Sequence, residues 1–389
     1  MIIERELMSE IRPVIASPEA IVITGMRRVG KTTLLQQLFK EIESDNKIFL
    51  DLENPLNRKY FETDDYERIA DEFKLLGYRL ADRGYIFLDE IQFTKNIPSV
   101  IKYLIDHYKI KFLLTGSASF YIRNLFSESL SGRKYLFELY PLSFREFLLL
   151  KNIKITLPQV EEKISEAAYQ TINRHYDEYI LYGGFPGVVQ KESANEKKMM
   201  MEDIFSSYFQ LEVVQLGDFR KINVVRDLML LLMQRTGSSL DVQELSGELG
   251  VARETLNNYL SFFENTYFLK LIRPFTSNRD SEIRSMPKFY LCDTGFVNHF
   301  ARVSGGALFE NTIFSALRNQ GEVNYYRRKS GAEIDFILNR EAAIEVKNMA
   351  SSKHLTKLRK LSADLKISNY YVVSRRYSKL DEVTYGFML

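Results

Sequence analysis

The chain has 389 residues, 45% of them hydrophobic, which is enough for two or three separate cores. Lys and Arg number 53 against 51 Asp and Glu, a net charge of +2, so global basicity is excluded and any nucleic-acid surface must be local. The single Cys292 excludes an internal disulfide and reads as a buried filler, and four scattered histidines provide no zinc ligand pair.

Met1-Ile2-Ile3-Glu4-Arg5-Glu6 places charge where a secretory signal needs an apolar core. The longest apolar runs fall short of a bilayer span, so a cytoplasmic protein with no membrane partner is expected. The apolar run Ala20-Ile21-Val22-Ile23 then leads into Gly25-Met26-Arg27-Arg28-Val29-Gly30-Lys31-Thr32, with Thr33-Leu34-Leu35 opening an amphipathic helix. This is GxxxxGK[ST] between a strand and a helix, where the motif has a mechanism: glycines curl the backbone so that N–H groups converge, and the helix N-terminus adds positive potential. A triphosphate such as ATP is the expected ligand, cradled by Gly25, Arg27, Arg28, Val29, Gly30, Lys31, Thr32 and Thr33. Lys31 would reach the β and γ phosphates, and the Thr32 hydroxyl would ligate Mg2+.

Lys47 to Leu52 reads as a short strand, followed by a charged, Tyr-rich helical stretch. Tyr85-Ile86-Phe87-Leu88-Asp89-Glu90 is an apolar strand ending in two acids, the Walker B pattern: Asp89 in the Mg2+ shell and Glu90 as the base that orients water. Lys111 to Thr115 is the next strand and runs into Gly116-Ser117-Ala118-Ser119, where Ser117 either senses the γ phosphate or caps the following helix. Arg133 precedes a strand from Tyr135 to Leu139, and Ser143-Phe144-Arg145-Glu146 is a capping box. Strands alternating with helices call for a parallel α/β sheet with its ligand at the carboxyl ends, which brings Gly25, Asp89 and Thr115 together.

The strings GMRRVGKTTL, FLDEIQ, LLTGSAS and SGRKYLFELYPLSFREF resemble the bacterial and archaeal AAA-type ATPase family whose members carry a C-terminal nuclease-like domain, and the resemblance runs over essentially the whole chain. It implies the additional-strand type of P-loop sheet, with the sensor strand between the Walker A and Walker B strands. It also implies that Arg133 acts as an arginine finger or nucleotide sensor, in cis or from a neighbouring subunit of a homo-oligomer.

From about 160 to 216 the pattern is helical, broken at Gly183-Gly184-Phe185-Pro186-Gly187. The family's lid carries a similar GGFP string, which makes Pro186 a candidate adenine contact; a plain helix–helix turn is the alternative. Residues 221 to 275 resemble a winged helix-turn-helix, with Leu269 to Ile272 as a wing strand. The outward side chains of its second helix (Arg253, Glu254, Asn257, Asn258, Ser261 and Glu264) carry two acids against one base, which favours a structural role over DNA reading. The polar stretch between Arg273 and Lys288 reads as the main domain boundary.

In the last segment Leu308 to Phe314, with Glu310, starts a helix, and Glu333-Ile334-Asp335-Phe336-Ile337-Leu338 and Ala342-Ala343-Ile344-Glu345-Val346-Lys347 alternate with period two, as strands do. A three-residue loop at Asn339 to Glu341 would set Leu338 against Ala342 and Asp335 against Glu345, with Lys347 on the same face. Facing carboxylates repel, and a divalent cation would remove the penalty. This order resembles the PD-(D/E)xK nuclease core. The resemblance assigns metal ligation to Asp335 and Glu345, helped by Glu310, and water activation or phosphate stabilisation to Lys347; Arg327 and Arg328 could hold the backbone of DNA or RNA.

The expected architecture is therefore α/β: a P-loop ATPase domain over residues 1–150, a helical lid over 151–220, a winged helix over 221–275 and a restriction-endonuclease-like domain over 286–389. The expected function is ATP hydrolysis with Mg2+, coupled to a metal-dependent nuclease or nucleic-acid-binding domain. The alternative is a non-catalytic, nucleotide-gated switch whose C-terminal domain binds protein.

Overall fold

A computed structural model describes residues 2–389 except 117–131, 161, 216, 218, 220, 277–284, 329 and 381. It divides into two bodies, Met1–Tyr140 with Asn265–Tyr267, and Pro141–Glu264 with Phe268–Leu389.

In the first body β1 (Ala20–Thr24) is buried at every position, as its unbroken AIVIT sequence requires of a strand covered on both faces. It is followed by α1 (Lys31–Glu41), β2 (Lys47–Asp51), α2 (Tyr66–Leu75), β3 (Gly84–Asp89), α3 (Ile97–His107), β4 (Ile110–Gly116) and β5 (Lys134–Glu138). The strands lie in the order β2-β3-β4-β1-β5, every neighbouring pair parallel. The β4 strand therefore separates the strand feeding the glycine loop from the strand ending in two acids, the order implied by the family resemblance. Helix α3 places Pro98 in its first turn and buries Ile97, Val100, Ile101 and Leu104 on one face, against a core that includes Phe61, Ile69, Phe73, Ile86 and Phe112. Each fully buried side chain of this size contributes about 2–3 kcal/mol.

The second body begins before the expected boundary at residue 150. In α4 (Phe144–Leu150), Phe144 and Phe147 pack on Tyr176 and Tyr179 of α5 (Glu166–Tyr182), and the Ser143–Glu146 capping box is formed. Next come α6 (Pro186–Val189), α7 (Ala194–Tyr208), α8 (Ile222–Gln234), α9 (Val242–Leu249) and α10 (Arg253–Asn265). Gly250, at φ +61°, ends α9 in the left-handed conformation that suits glycine, and α10 follows it closely. The strands β6 (Leu269–Ile272) and β7 (Lys288–Leu291) then pair antiparallel. Across the expected boundary between Arg273 and Lys288, β7 thus pairs with β6.

After α11 (Thr294–Ala301) comes a run of α12 (Gly305–Leu317), β8 (Val323–Arg327), β9 (Glu333–Leu338), β10 (Ala342–Lys347), α13 (Ser352–Asp364), β11 (Asn369–Ser374) and β12 (Val383–Tyr385). The sheet order is β12-β11-β10-β9-β8, with β8, β9 and β10 an antiparallel meander and β11 parallel to β10. The parallel pair requires a crossover, which α13 provides. Its Leu355, Leu358 and Leu361 pack with Ile334, Ile337, Ala343 and Val372. Among the described residues no helix is long and apolar enough to cross a membrane.

Candidate nucleotide site and C-terminal acid cluster

The loop from Gly25 to Gly30 leaves the carboxyl end of β1. A Cβ at Gly25, where φ is +153°, would sit 2.1 Å from the Leu139 carbonyl oxygen, so the first glycine is demanded by backbone packing. Gly30, at φ +101°, turns the chain into α1, and Arg28 takes φ +66°, a conformation costly for a residue with a side chain. Lys31 is buried, and its ammonium donates to the Gly25 and Met26 carbonyls, 2.9 Å each, which holds it at the mouth of the loop. Thr32 and Arg28 are exposed there, and Arg27 and Thr33 are half-buried.

Sequence reasoning missed the group that braces this loop. Arg5 is 7% exposed; its guanidinium donates to the Val29 carbonyl and to the Tyr140 carbonyl, 2.8 Å each. An isolated arginine in a charged N-terminal segment carries no periodic or motif signal. Tyr267 was missed for the same reason. Its hydroxyl meets the Thr24 hydroxyl, one residue before the loop, and donates to Glu138 Oε1 at 3.0 Å.

Asp89 ends β3 with 3% of its surface exposed. The Thr115 hydroxyl donates to Asp89 Oδ1, and Thr32 also hydrogen-bonds this carboxylate. Burial pushes the Asp89 pKa up, these hydroxyls oppose the shift, and the nearby Glu90 and Asp51 carboxylates add to it. Asp51 stands beside Asp89 in the β2–β3 register. Glu90 takes φ +55°, its N–H donates to the Thr115 hydroxyl at 3.3 Å, and its carboxylate receives the Gln92 amide. Thr115, at the tip of β4, is thus the side chain that links the two acids. The alternative candidate Ser117 lies outside the described residues.

One expected nucleotide contact is placed elsewhere. Arg133 sits at the amino end of β5, where its carbonyl accepts from Ala20 N–H at the start of β1 and its Nε lies 2.9 Å from Asp106 Oδ1. The phosphate loop leaves the opposite end of β1, a rise of about 13 Å over five strand residues. Within one chain, then, Arg133 does not reach the loop, which corrects the in-cis form of the arginine-finger expectation. Pro186 opens α6 in the second body, and the glycines before it have a local explanation. A Cβ on Gly183 would fall 1.8 Å from Asp293 Oδ1, and one on Gly184 would fall 2.3 Å from the Leu142 carbonyl. Asp293 accepts from Gly184 N–H at 2.7 Å and Gly295 N–H at 2.8 Å; burial raises its pKa to about 6 against these hydrogen bonds.

In the C-terminal sheet the pairs Leu338–Ala342, Ile337–Ala343 and Phe336–Ile344 are those counted from the sequence. The Asp335 carboxylate accepts from Val346 N–H at 2.7 Å, and Lys347 Nζ lies 3.3 Å from Asp335 Oδ2 and 2.9 Å from Glu345 Oε1. Lys357, from α13, adds a contact of 3.3 Å to the same Glu345 oxygen. Glu345 is 3% exposed, and among the described residues its Oε2 has no hydrogen-bond partner.

Glu310 is not ranged with these two acids as a third free ligand. It accepts from the Tyr290 hydroxyl at 2.7 Å, and Lys288 Nζ, which is ion-paired to Glu333, lies 4.0 Å from it. Burial and the charge of Asp335 raise the Glu310 pKa. Among the described residues no group of three or more His, Cys, Asp or Glu stands ready to hold a metal. The expected Glu310–Asp335–Glu345 triad is corrected accordingly, because lysine ammonium groups stand among the acids. Arg328 is committed to Asp364 at 2.6 Å, and Arg327 lies 3.9 Å from Glu333.

A parallel five-stranded sheet whose first strand feeds a glycine–lysine–threonine loop, and whose acid-tipped strand lies beyond β4, defines a P-loop ATPase fold of the AAA type. Residues 17–148 match a family described as AAA domain, while 173–306 and 305–385 match two domains of unknown function, DUF8612 and DUF4143. An uncharacterized protein of Methanocaldococcus jannaschii is 26% identical over 367 residues, covering 90% of this chain and 80% of that protein. One from Haemophilus influenzae is 25% identical over 329 residues, covering 81% and 78%. Among solved structures, the Aeropyrum pernix ORC1 protein in complex with DNA is similar at TM-score 0.35 and 14% identity, covering 81% of this chain and 95% of that one. Drosophila ORC bound to GC-rich DNA and Cdc6 is similar at TM-score 0.27 and 10% identity, covering 76% and 89%.

Proposed function

We propose that the chain binds and hydrolyses ATP, with Lys31 on the β and γ phosphates, Asp89 and Thr32 holding Mg2+, and Glu90 orienting the attacking water. The observation that carries this reading is the Asp89 carboxylate, buried at the strand tip beside the glycine loop between the Thr32 and Thr115 hydroxyls, with Asp51 and Glu90 nearby. Carboxylates and hydroxyls converge there, an oxygen-rich set that fits a hard divalent cation. Mg2+ there would neutralise charge on the triphosphate and the leaving group. Lys31 has an ammonium already desolvated and aimed at the loop, and Thr115 fixes the Glu90 backbone. Measuring Mg2+-dependent ATP turnover in wild type and Lys31→Ala tests this. A loss of about 100-fold or more is expected, and an unchanged rate refutes the reading.

For the second body we carry the nucleic-acid reading in a reduced form. Asp335 and Glu345 would hold one divalent cation at a phosphodiester, with Lys347 beside it to meet the attacking water or the phosphate, supported by their shared face and by the unpartnered Glu345 Oε2. Helices α8 to α10 with the β6–β7 ribbon support a winged-helix module in a structural role, since the exposed positions of α10 are Arg253, Glu254, Asn257, Asn258 and Ser261, with no net positive charge for a phosphate backbone. One observation favours the second reading, a nucleotide-gated switch with an inert C-terminal module: lysines already neutralise most of the acid cluster. Metal-dependent cleavage of labelled DNA and RNA that Asp335→Ala abolishes would decide for the nuclease.

A further inference from the structure

We propose that Lys288 is a tethered counter-cation of the C-terminal cluster: its ammonium occupies the Glu310–Glu333 side, so that the cluster accepts at most one divalent cation, between Asp335 and Glu345. The proposal rests on reading Asp335 and Glu345 as cation ligands.

Every residue of β7 is buried, and a lysine in such a strand is expensive unless its charge is matched. Lys288, 6% exposed, is ion-paired to Glu333, 4.0 Å from Glu310 and over the Tyr325 ring at 5.4 Å. Burial pulls its pKa down, yet Glu310, Glu333 and Asp335 together carry it above the ordinary value. Tyr290, two residues on and therefore on the same face of β7, donates to Glu310. One strand face thus delivers both a charge and a hydrogen bond to the acid that the nuclease pattern would make a ligand.

The charges count the same way. Glu310, Glu333, Asp335 and Glu345 set four negative charges against Lys288, Lys347, Lys357 and the more exposed Arg327, leaving no surplus charge for a second ion. Paired cations in two-metal sites stand about 3.5–4 Å apart, each needing carboxylates of its own. An ammonium on Glu310 and Glu333 takes those of the second ion. The free coordinating capacity is at Glu345 Oε2, buried and without a hydrogen-bond partner among the described residues, beside the Lys347 that also reaches Asp335.

The test is Mn2+ binding to the full chain without nucleotide, followed by calorimetry and electron paramagnetic resonance, with Mn2+-induced change in Tm as a second readout. Methionine matches the lysine stem without its charge. Lys288→Met is expected to bind one more Mn2+ than wild type and to gain a larger Mn2+-induced rise in Tm, and adding Glu310→Gln to it should remove that gain. Glu310→Gln alone is expected to leave the wild-type stoichiometry unchanged. Equal stoichiometry in wild type and Lys288→Met overturns the proposal, as does loss of Mn2+ by Glu310→Gln alone. If Lys288→Met does not fold, the Glu310→Gln result decides. Asp335→Asn probes the underlying reading separately: wild-type Mn2+ binding that survives it removes Asp335 as a ligand, whatever Lys288→Met does.

Discussion

The two sites bury carboxylates in opposite ways. At the tip of β3, Asp89 is sunk against the hydroxyls of Thr32 and Thr115, and the nearby carboxylates of Glu90 and Asp51 make its ionisation harder. In the C-terminal cluster, Asp335 and Glu345 share Lys347, Glu345 also meets Lys357, and Glu333 and Glu310 face Lys288. The first arrangement stores an electrostatic penalty that a bound cation would release. The second has met its penalty from within the chain. The difference teaches that the acids of a motif offer their full charge to a metal only where no side-chain cation shares it; in the cluster the lysines leave room for one ion at most.

Removing one group from each site should therefore move stability in opposite directions. Asp89→Asn is expected to lower ATP turnover by about 100- to 1,000-fold while raising stability by about 1 kcal/mol, because a desolvated carboxylate is replaced by a neutral amide. Turnover assays and denaturant unfolding check the two halves, and a destabilised Asp89→Asn protein would break the contrast. Lys347→Met should do the reverse, leaving Asp335 and Glu345 without their shared ammonium and destabilising by about 3 kcal/mol. Lys357 remains against Glu345, which keeps the effect at the low end for a broken buried pair. Lys347→Met unfolding at the wild-type midpoint would show that the cluster is not held by its own lysines.

How far each site could be read from the sequence follows the same division. Local chemistry was legible. The glycine loop, the acids after Leu88, the parallel sheet and the β9–β10 register follow from periodicity and spacing, which depend on near neighbours along the chain. Partners brought in from a distance were not. Arg5 reaches Val29 across 24 positions, Lys288 reaches Glu333 across 45, and Asp293 fits beneath Gly184 across 109. Lys288 did leave a trace, as a charge at the head of the otherwise apolar Lys288-Phe289-Tyr290-Leu291, but the polar stretch before it suggested a boundary instead. The Gly183–Gly184 pair shows the converse: the sequence left a turn and a ligand contact both open there, and Asp293 and the Leu142 backbone account for the glycines.

Asp293 calibrates the contrast, since backbone N–H groups of Gly184 and Gly295 supply its hydrogen bonds and the Arg318 charge adds a smaller effect. Its pKa of about 6 lies above the ordinary value of 3.8, so its contribution to stability is greatest below pH 4 and is lost as the pH rises through 6. The loss is at most about 3 kcal/mol at 1.36 kcal/mol per unit. Urea unfolding of wild type and Asp293→Asn across pH 4 to 7.5 should show this fall in the first protein only. Parallel curves would mean that the N–H groups of Gly184 and Gly295 hold the charge better than its burial opposes it.

The smallest expected effect belongs to Arg133, and it tests whether the nucleotide site is complete within one chain. Its pair with Asp106 is exposed on both sides, 42% and 35%, so Arg133→Ala should change stability by less than about 0.5 kcal/mol. Because the arginine stands at the amino end of β5 and the phosphate loop at the carboxyl end of β1, ATP turnover by the dilute protein should also be unchanged. Turnover measured over a range of protein concentrations separates the two remaining roles. A rate that equals wild type throughout makes Arg133 a surface residue. A deficit that grows as the chains associate would place it against a neighbour's phosphates, and the nucleotide site would then be completed by a second copy.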